Sequence, residues 1–367
     1  MRLTRLAAQG FRNLDPFDLR TDASVVVFHG DNAQGKTNAL EAIWMLATLR
    51  PLRGHRAKDL VRWGQDEAAV AGEIVDGALH RRFRVDLGKR RKASIDDQEV
   101  RDVGEYFAGI RAIAFTPSDG AIVTHEPDLR RRWIDRAAFT LQPAHLTRVR
   151  AYSRCLSQKS AALRADRPVG ALIDVLDDQL ADLGARLAEA REATLDALRG
   201  PVAEHYQSIA GREVSVGLRY RTVCQGGSVS ERTETFRKAL EARRSDELRR
   251  RMCLVGPQKD EVVLTLDGQA ARRFGSRGQV RSLVLAMKLG ELAAARERGQ
   301  APLFLLDDLS SELDRERIGR LVRDLLALDA QVLVTTTDPT PVLDAVARQD
   351  CLAVTVEDGR LASLESA

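Results

Sequence analysis

Residues 24–29 read Ser-Val-Val-Val-Phe-His, a short, continuous, β-branched run. Such a run predicts a strand buried on both faces, as in a parallel sheet. Gly30 to Thr37 follow, and then the period changes. Leu40, Ile43, Trp44 and Ala47 fall on one helical face, and Pro51 ends the pattern. The unit is strand, glycine-rich loop, helix. The last third of the chain repeats this rhythm. Gln279 to Arg298 predict a helix and Leu303 to Leu306 a buried strand, and Ile318, Leu321, Val322, Leu325 and Leu326 mark another helix face. Gln331 to Thr336 then read as a strand, Pro341 to Ala347 as a short helix and Leu352 to Val356 as a strand. Strands alternating with helices predict an α/β domain with a largely parallel sheet.

The middle of the chain differs. From Asp128 to about Arg199 it is rich in Ala, Leu, Arg and Asp, with Leu172, Leu176, Leu183 and Leu187 at helical spacings and Leu195 and Leu198 continuing the apolar face. Gly200-Pro201 is expected to stop that helix. Residues 213–222 read as a strand and 231–251 as a charged helix. The expected organisation is one α/β head, residues 1–125 and 251–367, interrupted by a mostly helical insertion at 126–250. No internal repeat is visible, and the helical segment is too short for an extended coiled coil.

Composition adds bounds. The 367 residues, 44% hydrophobic and 30% charged, suit an ordinary globular protein with room for a large core. A net charge of +4 tilts only weakly toward an anionic partner. Cys155, Cys224, Cys253 and Cys351 form no C-x-x-C pair, which argues against a zinc site or disulfide framework and fits a reducing cytoplasm. The beginning, MRLTRLAAQGFRNL, has no apolar signal region, and no apolar run approaches the roughly 20 residues of a membrane span.

Gly30-Asp31-Asn32-Ala33-Gln34-Gly35-Lys36-Thr37 fits G-x-x-x-x-G-K-[ST], in the required context of a buried strand before and a helix after. Glycines let the backbone wrap phosphates with its N–H groups inward, and the following helix adds its positive end. Lys36 is expected to reach the β- and γ-phosphates of ATP, and the Thr37 hydroxyl to ligate Mg²⁺. Leu303 to Leu306 end in Asp307-Asp308. A buried strand would deliver Asp307 to the metal and leave Asp308 to polarise the attacking water. Phe274-Gly275-Ser276-Arg277-Gly278-Gln279 precedes a helix and then that acidic strand. This is the order of ABC-type ATPases, in which a Ser-x-Gly-Gln element binds the γ-phosphate held by a second subunit. Ser276, Gly278 and Gln279 therefore imply a head-to-tail pair of heads.

Along nearly its whole length the chain resembles the RecF family, short relatives of SMC-type heads. The matching pieces are Gly10-Phe11-Arg12-Asn13, the phosphate loop with Asn38, Phe115 to Asp119, Arg130 to Asp135, Gly256-Pro257, Ser276 to Arg281, Asp307 to Asp314 and Thr335 to Pro339. Where the family has His-Arg-Asp after Gly-Pro, this chain has Gln258-Lys259-Asp260, and Lys259 cannot copy a planar guanidinium fork. The resemblance implies an α/β, ABC/SMC-like P-loop head with a helical inserted domain. It places Arg12 and Asn38 at the nucleotide. It further implies a weak, DNA-stimulated ATPase in the cytoplasm that dimerises on ATP and binds double- and single-stranded DNA and their junctions. Such a protein helps RecR and RecO load a recombinase at gaps. Arg130, Arg131 and Arg132, and Arg148, Arg150 and Arg154, are candidate phosphate contacts. The alternative is the ATPase subunit of a membrane ABC transporter, which shares the nucleotide motifs but predicts a compact head without the arginine-rich insertion.

Overall fold

A computed structural model of the protein describes residues 1–53, 56–312 and 315–363. Leu313 and Asp314, the end of the acidic motif, lie outside the described residues. The chain divides into two units. One joins Met1–Asp119 to the segment from Glu291 onward, and the other is Gly120–Gly290.

The first unit opens with β1 (Arg2–Gln9), β2 (Phe17–Arg20), β3 (Val25–His29), α1 (Lys36–Thr48), β4 (Ala68–Asp76), β5 (Leu79–Leu87), β6 (Lys92–Ile95), β7 (Gln98–Glu99), α2 (Val103–Gly109) and β8 (Ala112–Phe115). The second unit follows with α3 (Gly120–Thr124), α4 (Pro127–Leu141), α5 (His145–Arg164), α6 (Gly170–Ala210), β9 (Val216–Arg221), α7 (Val229–Arg250), β10 (Glu261–Leu266), β11 (Gln269–Ala270), α8 (Ala271–Phe274) and the part of α9 (Arg277–Arg296) up to Gly290. The first unit is then completed by β12 (Leu303–Leu306), α10 (Leu309–Glu312), α11 (Arg315–Ala327), β13 (Val332–Thr336), α12 (Thr340–Leu343), β14 (Cys351–Glu357) and β15 (Arg360–Ser363).

One sheet of the first unit has the order β15-β14-β3-β13-β12-β8 and is parallel except for β15. Residues 25–28 of β3, residues 332–334 of β13 and all of β12 are apolar because both faces are covered, and every residue of β12 is fully buried. A second sheet, β2-β1-β4-β5-β6-β7, is antiparallel, and β4 alternates buried and half-exposed positions over Ala68–Ile74. This one-sided sheet was not anticipated from the sequence, where its alternation is diluted by charged residues such as Arg81, Arg82 and Arg84. Helix α1 packs on strands of both sheets, so the positions from Ala39 to Ala47 are all buried rather than one stripe. The C-terminal short helix is confined to Thr340–Leu343, shorter than the expected 341–347.

In the second unit α4, α5, α6 and α7 pack on one another, and β11-β10-β9 form a small antiparallel sheet against α4 and α6. Two expectations need correction here. Gly200-Pro201 does not end the helix, since α6 runs 41 residues with Pro201 inside it. The apolar face continues on both sides, through Leu195, Leu198, Val202 and Tyr206, all at most 1% exposed. Burial of those side chains, each worth about 1.5–3 kcal/mol, offsets the hydrogen bond that Pro201 removes. The unit also extends beyond the insertion expected at 126–250, because β10 pairs with β9 along its whole length and so belongs with it. Inside the unit, Lys159 is fully buried between Asp177 and Glu247, 2.5 Å from each, which joins α5, α6 and α7 through charge.

Candidate nucleotide site

The site begins where β3 gives way to α1. Gly30 has φ +141°, and a Cβ there would lie 2.4 Å from the carbonyl oxygen of Val356 in β14. Gly35, at φ +112°, is the residue before the helix, and its Cβ would meet the Asn13 side chain. Only glycine fits either position. Between them Asp31, Asn32 and Ala33 are exposed. The N–H groups of Asn32, Ala33, Gln34 and Gly35 take no protein acceptor among the described residues. The loop is braced from the β14–β15 turn, where Gly359 N–H donates to Gln34 O at 2.9 Å and Asp358 N–H to Gln34 Oε1 at 2.6 Å. An unfilled ring of donors at the positive end of a helix is an anion cradle.

Lys36 is 8% exposed and folds back on the loop, donating to Gly30 O at 2.8 Å and Asp31 O at 2.6 Å. Burial pushes its pKa down, opposed by Asp308, Asp31 and Asp307. These carbonyl bonds hold the ammonium where an arriving phosphate can take it over.

The first unit brings Asp307 to the same place. Its N–H donates to Phe115 O at 2.9 Å, and its Oδ1 accepts from the Thr335 hydroxyl at 2.8 Å. Burial pushes the Asp307 carboxyl pKa up, partly countered by hydrogen bonds from Thr37 and Thr335. Thr37 and Asp307 thus place two oxygen donors side by side, the donor type that Mg²⁺ takes. Asp308 follows in the left-handed region, φ 53°, with its N–H on Thr335 Oγ1 at 2.7 Å. A non-glycine residue held there marks strain at the strand end, next to the lysine.

Beside the loop Arg12, also left-handed at φ 52°, donates to Glu41 Oε2 at 2.9 Å and to Asp59 O at 2.9 Å. Glu41 is fully buried, and its other oxygen accepts from the N–H groups of Leu52 and Arg53, both at 3.1 Å. Asn38 donates to Asn13 Oδ1 at 2.6 Å and accepts from Arg53 at 3.3 Å. A pocket of about 570 Å³ lies here, lined by Arg12, Asn13, Asn38, Arg53, Val61 and Trp63. Glu41, Arg53 and Trp63 were not among the expected site residues. The only signal for Glu41 was an acid inside an otherwise apolar helix. Trp63 is fully exposed, whereas Trp44 is buried.

Ser276, Gly278 and Gln279 lie in the second unit, at the start of α9. Gln279 N–H donates to Ser276 Oγ at 3.2 Å, and Ser276 N–H to Gln279 Oε1 at 2.9 Å, a reciprocal capping box. Ser276 and Gly278 are exposed, and a Cβ on Gly278 would meet nothing within 4 Å.

The arginines separate. Arg130 is 4% exposed, forks onto Glu261 at 2.6 and 3.2 Å and donates to the carbonyls of Ile122, Val123 and His125. Its donors are spent inside the fold, so it is a structural arginine and not a DNA contact. Arg131 donates to Asp260 O at 2.7 Å, and Arg132 is exposed with Asp128 as ion-pair partner at 3.1 Å. Arg148 is half-buried against Gln142. Arg150 and Arg154, one helical turn apart on α5, are exposed and unpaired among the described residues.

The family of the RecF/RecN/SMC N terminal domain matches residues 2–361. The chain is 39% identical to the DNA replication and repair protein RecF of Myxococcus xanthus (strain DK1622), over 99% of this chain and 97% of that one. It is 38% identical to the protein of the same name from Geobacter sulfurreducens, over 92% and 93%. The solved structure of the recombination mediator protein RecF with ATP, in the RecFOR pathway, superposes with a TM-score of 0.90 at 24% identity, over 99% of both chains. An Smc head domain from Pyrococcus furiosus superposes less closely, with a TM-score of 0.56 at 13% identity.

Proposed function

Because the chain belongs to the RecF family of DNA replication and repair proteins, with the fold of an ABC-type ATPase head, we propose that it is an ATP-driven DNA clamp acting at single-strand gaps and replication forks. The observation that carries this reading is the helix N-terminus at Ser276, exposed and closed only by its own capping box. Two such chains, head to tail, would each present that N-terminus to the phosphate held by the other.

The amides of the loop and Lys36 bind the phosphates, and Thr37 and Asp307 would hold Mg²⁺, which would supply charge neutralisation at the transferring phosphoryl group. Asp308 orients the water, and hydrolysis is slow and stimulated by DNA. Exposed Arg150 and Arg154 give phosphate contacts on duplex and single-stranded DNA and their junction. DNA favours the closed dimer and, by linkage, the dimer favours DNA. The partners are RecR and RecO, and the compartment is the cytoplasm. No helix among the described residues is long and apolar enough to cross a membrane. The test is molecular mass in solution against ATP concentration, with and without a gapped duplex. Dimerisation at lower ATP on the gapped DNA is expected, and a monomer at all ATP concentrations would overturn the clamp.

The pocket beside Arg12 takes the base, with Trp63 as its stacking face. Trp63→Ala is expected to weaken ATP about tenfold, one base–aromatic stack, and to leave inorganic tripolyphosphate binding unchanged. Fluorescence quenching on ATP addition that vanishes in the variant, with Trp44 and Trp133 still present, assigns the signal to Trp63. Equal losses for ATP and tripolyphosphate would place Trp63 outside the base site.

A further inference from the structure

A groove of about 940 Å³ lies beside β9 in the second unit, and the proposed ATP cycle does not use it. Strand β9 reads Val-Gly-Leu-Arg-Tyr-Arg and alternates. Leu218 and Tyr220 are buried, while Arg219 and Arg221 are exposed. The groove is also lined by the segment around Gly256 to Asp260, which is held from within the unit. Arg191 donates to Pro257 O at 2.9 Å, the Tyr220 hydroxyl donates to the Asp260 carboxylate, and the Tyr152 hydroxyl donates to Gln258 Oε1. Arg191 is itself locked by two 2.8 Å bonds to Asp135. With the backbone fixed this way, Lys259 is the exposed residue of the segment.

The acids of the groove are engaged. Glu261 is forked by Arg130, Glu192 pairs with Arg232 at 2.5 Å, and Asp260 accepts from Tyr220. The side chains of Arg219, Arg221 and Lys259 have no hydrogen bond or ion pair among the described residues. The groove therefore presents three cations with no ion-pair partner among the described residues, while Glu261, opposite Arg221 in the register, is taken by Arg130.

We infer that this groove holds one strand of nucleic acid by its phosphates, at a site separate from Arg150 and Arg154. The inference rests on the reading of the chain as a DNA-binding protein. Arg219 and Arg221 leave the same face of β9 from Cα atoms about 6.6 Å apart, and their long side chains can reach successive phosphates of one backbone. Each can fork onto a phosphate. The volume admits a few nucleotides of one strand. Tyr220, the aromatic residue of the lining, is buried with its hydroxyl on Asp260, so it offers no stacking face. The groove reads backbone and not bases, and sequence preference is small. Lys259 adds a third positive charge to the site.

The test compares the full-length protein with Arg219→Glu/Arg221→Glu/Lys259→Glu, and with the triple alanine variant in case charge reversal impairs folding. Binding of a labelled oligothymidylate is followed against salt concentration. Each phosphate contact on a single strand contributes about 0.7 to the salt slope, so the triple variants should lose about 2 from the slope and at least tenfold in affinity near 0.1 M salt. ATP affinity and melting temperature should not change. A wild-type protein that binds the oligonucleotide while the triple variants match its affinity and slope would overturn the groove and leave the DNA reading standing. Absence of oligonucleotide and gapped-duplex binding by the wild type would overturn both. Loss of polyglutamate binding with DNA binding kept would overturn the inference and assign the groove to an acidic protein segment.

Discussion

Asp307→Asn is expected to slow ATP hydrolysis about 100-fold or more while raising the melting temperature of the nucleotide-free protein by a few degrees. The first effect follows from chemistry. In the proposed site the carboxylate beside Thr37 would hold Mg²⁺, and an amide in its place is a far poorer ligand for a hard cation. The second follows from burial. Asp307 is 3% exposed, and its pKa is raised from 3.8 because burial disfavours the ionised form, which outweighs the hydroxyl hydrogen bonds and the nearby charge of Arg53. A carboxyl whose folded pKa lies above its unfolded value costs the fold nothing below pH 3.8 and its full penalty above the folded pKa. At neutral pH the wild type therefore carries a cost that asparagine lacks. The substituted amide can keep the Thr335 bond through its carbonyl oxygen, so the change opens no cavity. Melting curves at pH 7 and near pH 4 should differ most at pH 7 and converge in acid. Mg²⁺ with ATP should raise the wild-type curve more than that of the variant. Equal melting temperatures at pH 7 would show that burial of Asp307 is not a cost, and near-normal turnover would remove it from the metal site.

The parallel sheet and the nucleotide loop were legible because each has a strong local cause. Val25 to Phe28 and Leu303 to Leu306 are apolar without interruption because both faces of those strands are covered. The loop glycines are where a Cβ would strike Val356 or Asn13. What stayed hidden depends on distant packing. Pro201 reads as a stop by local rules, yet Val202 lies against Gly290, where a Cβ would come within 2.6 Å of it, so a neighbour some ninety residues away keeps the helix going. The antiparallel sheet escaped because one of its faces is polar and its strands carry charge. Arg130 shows the same limit at the site. A run of three arginines looks alike in sequence, and only the fold reveals that one is spent on Glu261 and three carbonyls while its neighbour Arg132 is exposed. Trp63 and Trp44 are likewise equal in composition and opposite in exposure.

Ser276→Arg is expected to abolish ATP-driven dimerisation, with the dimer dissociation constant raised at least 100-fold, while the isolated chain keeps its ATP affinity within about twofold. The prediction turns on what Ser276 does in each state. In the single chain its hydroxyl accepts from Gln279 N–H and completes the capping box, so its loss costs about 1 kcal/mol of stability and shifts melting by a few degrees at most. In the closed pair the same N-terminus must come within hydrogen-bond distance of a phosphate, with the open space around Gly278 letting the anion in. An arginine side chain fills that space. Its charge does not compensate, because the guanidinium would have to leave the interface to let the backbone N–H groups approach. Ser276→Ala, which removes the hydroxyl and leaves the space, should weaken dimerisation only about tenfold. Sedimentation with and without ATP, alongside ATP titration of the monomer, separates the outcomes. If Ser276→Arg dimerises with ATP as the wild type does, the two chains do not share their nucleotide sites through α9. If it loses ATP binding in the monomer, Ser276 serves the nucleotide of its own chain. The graded order of wild type, alanine and arginine is the result that only a phosphate capped across two chains produces.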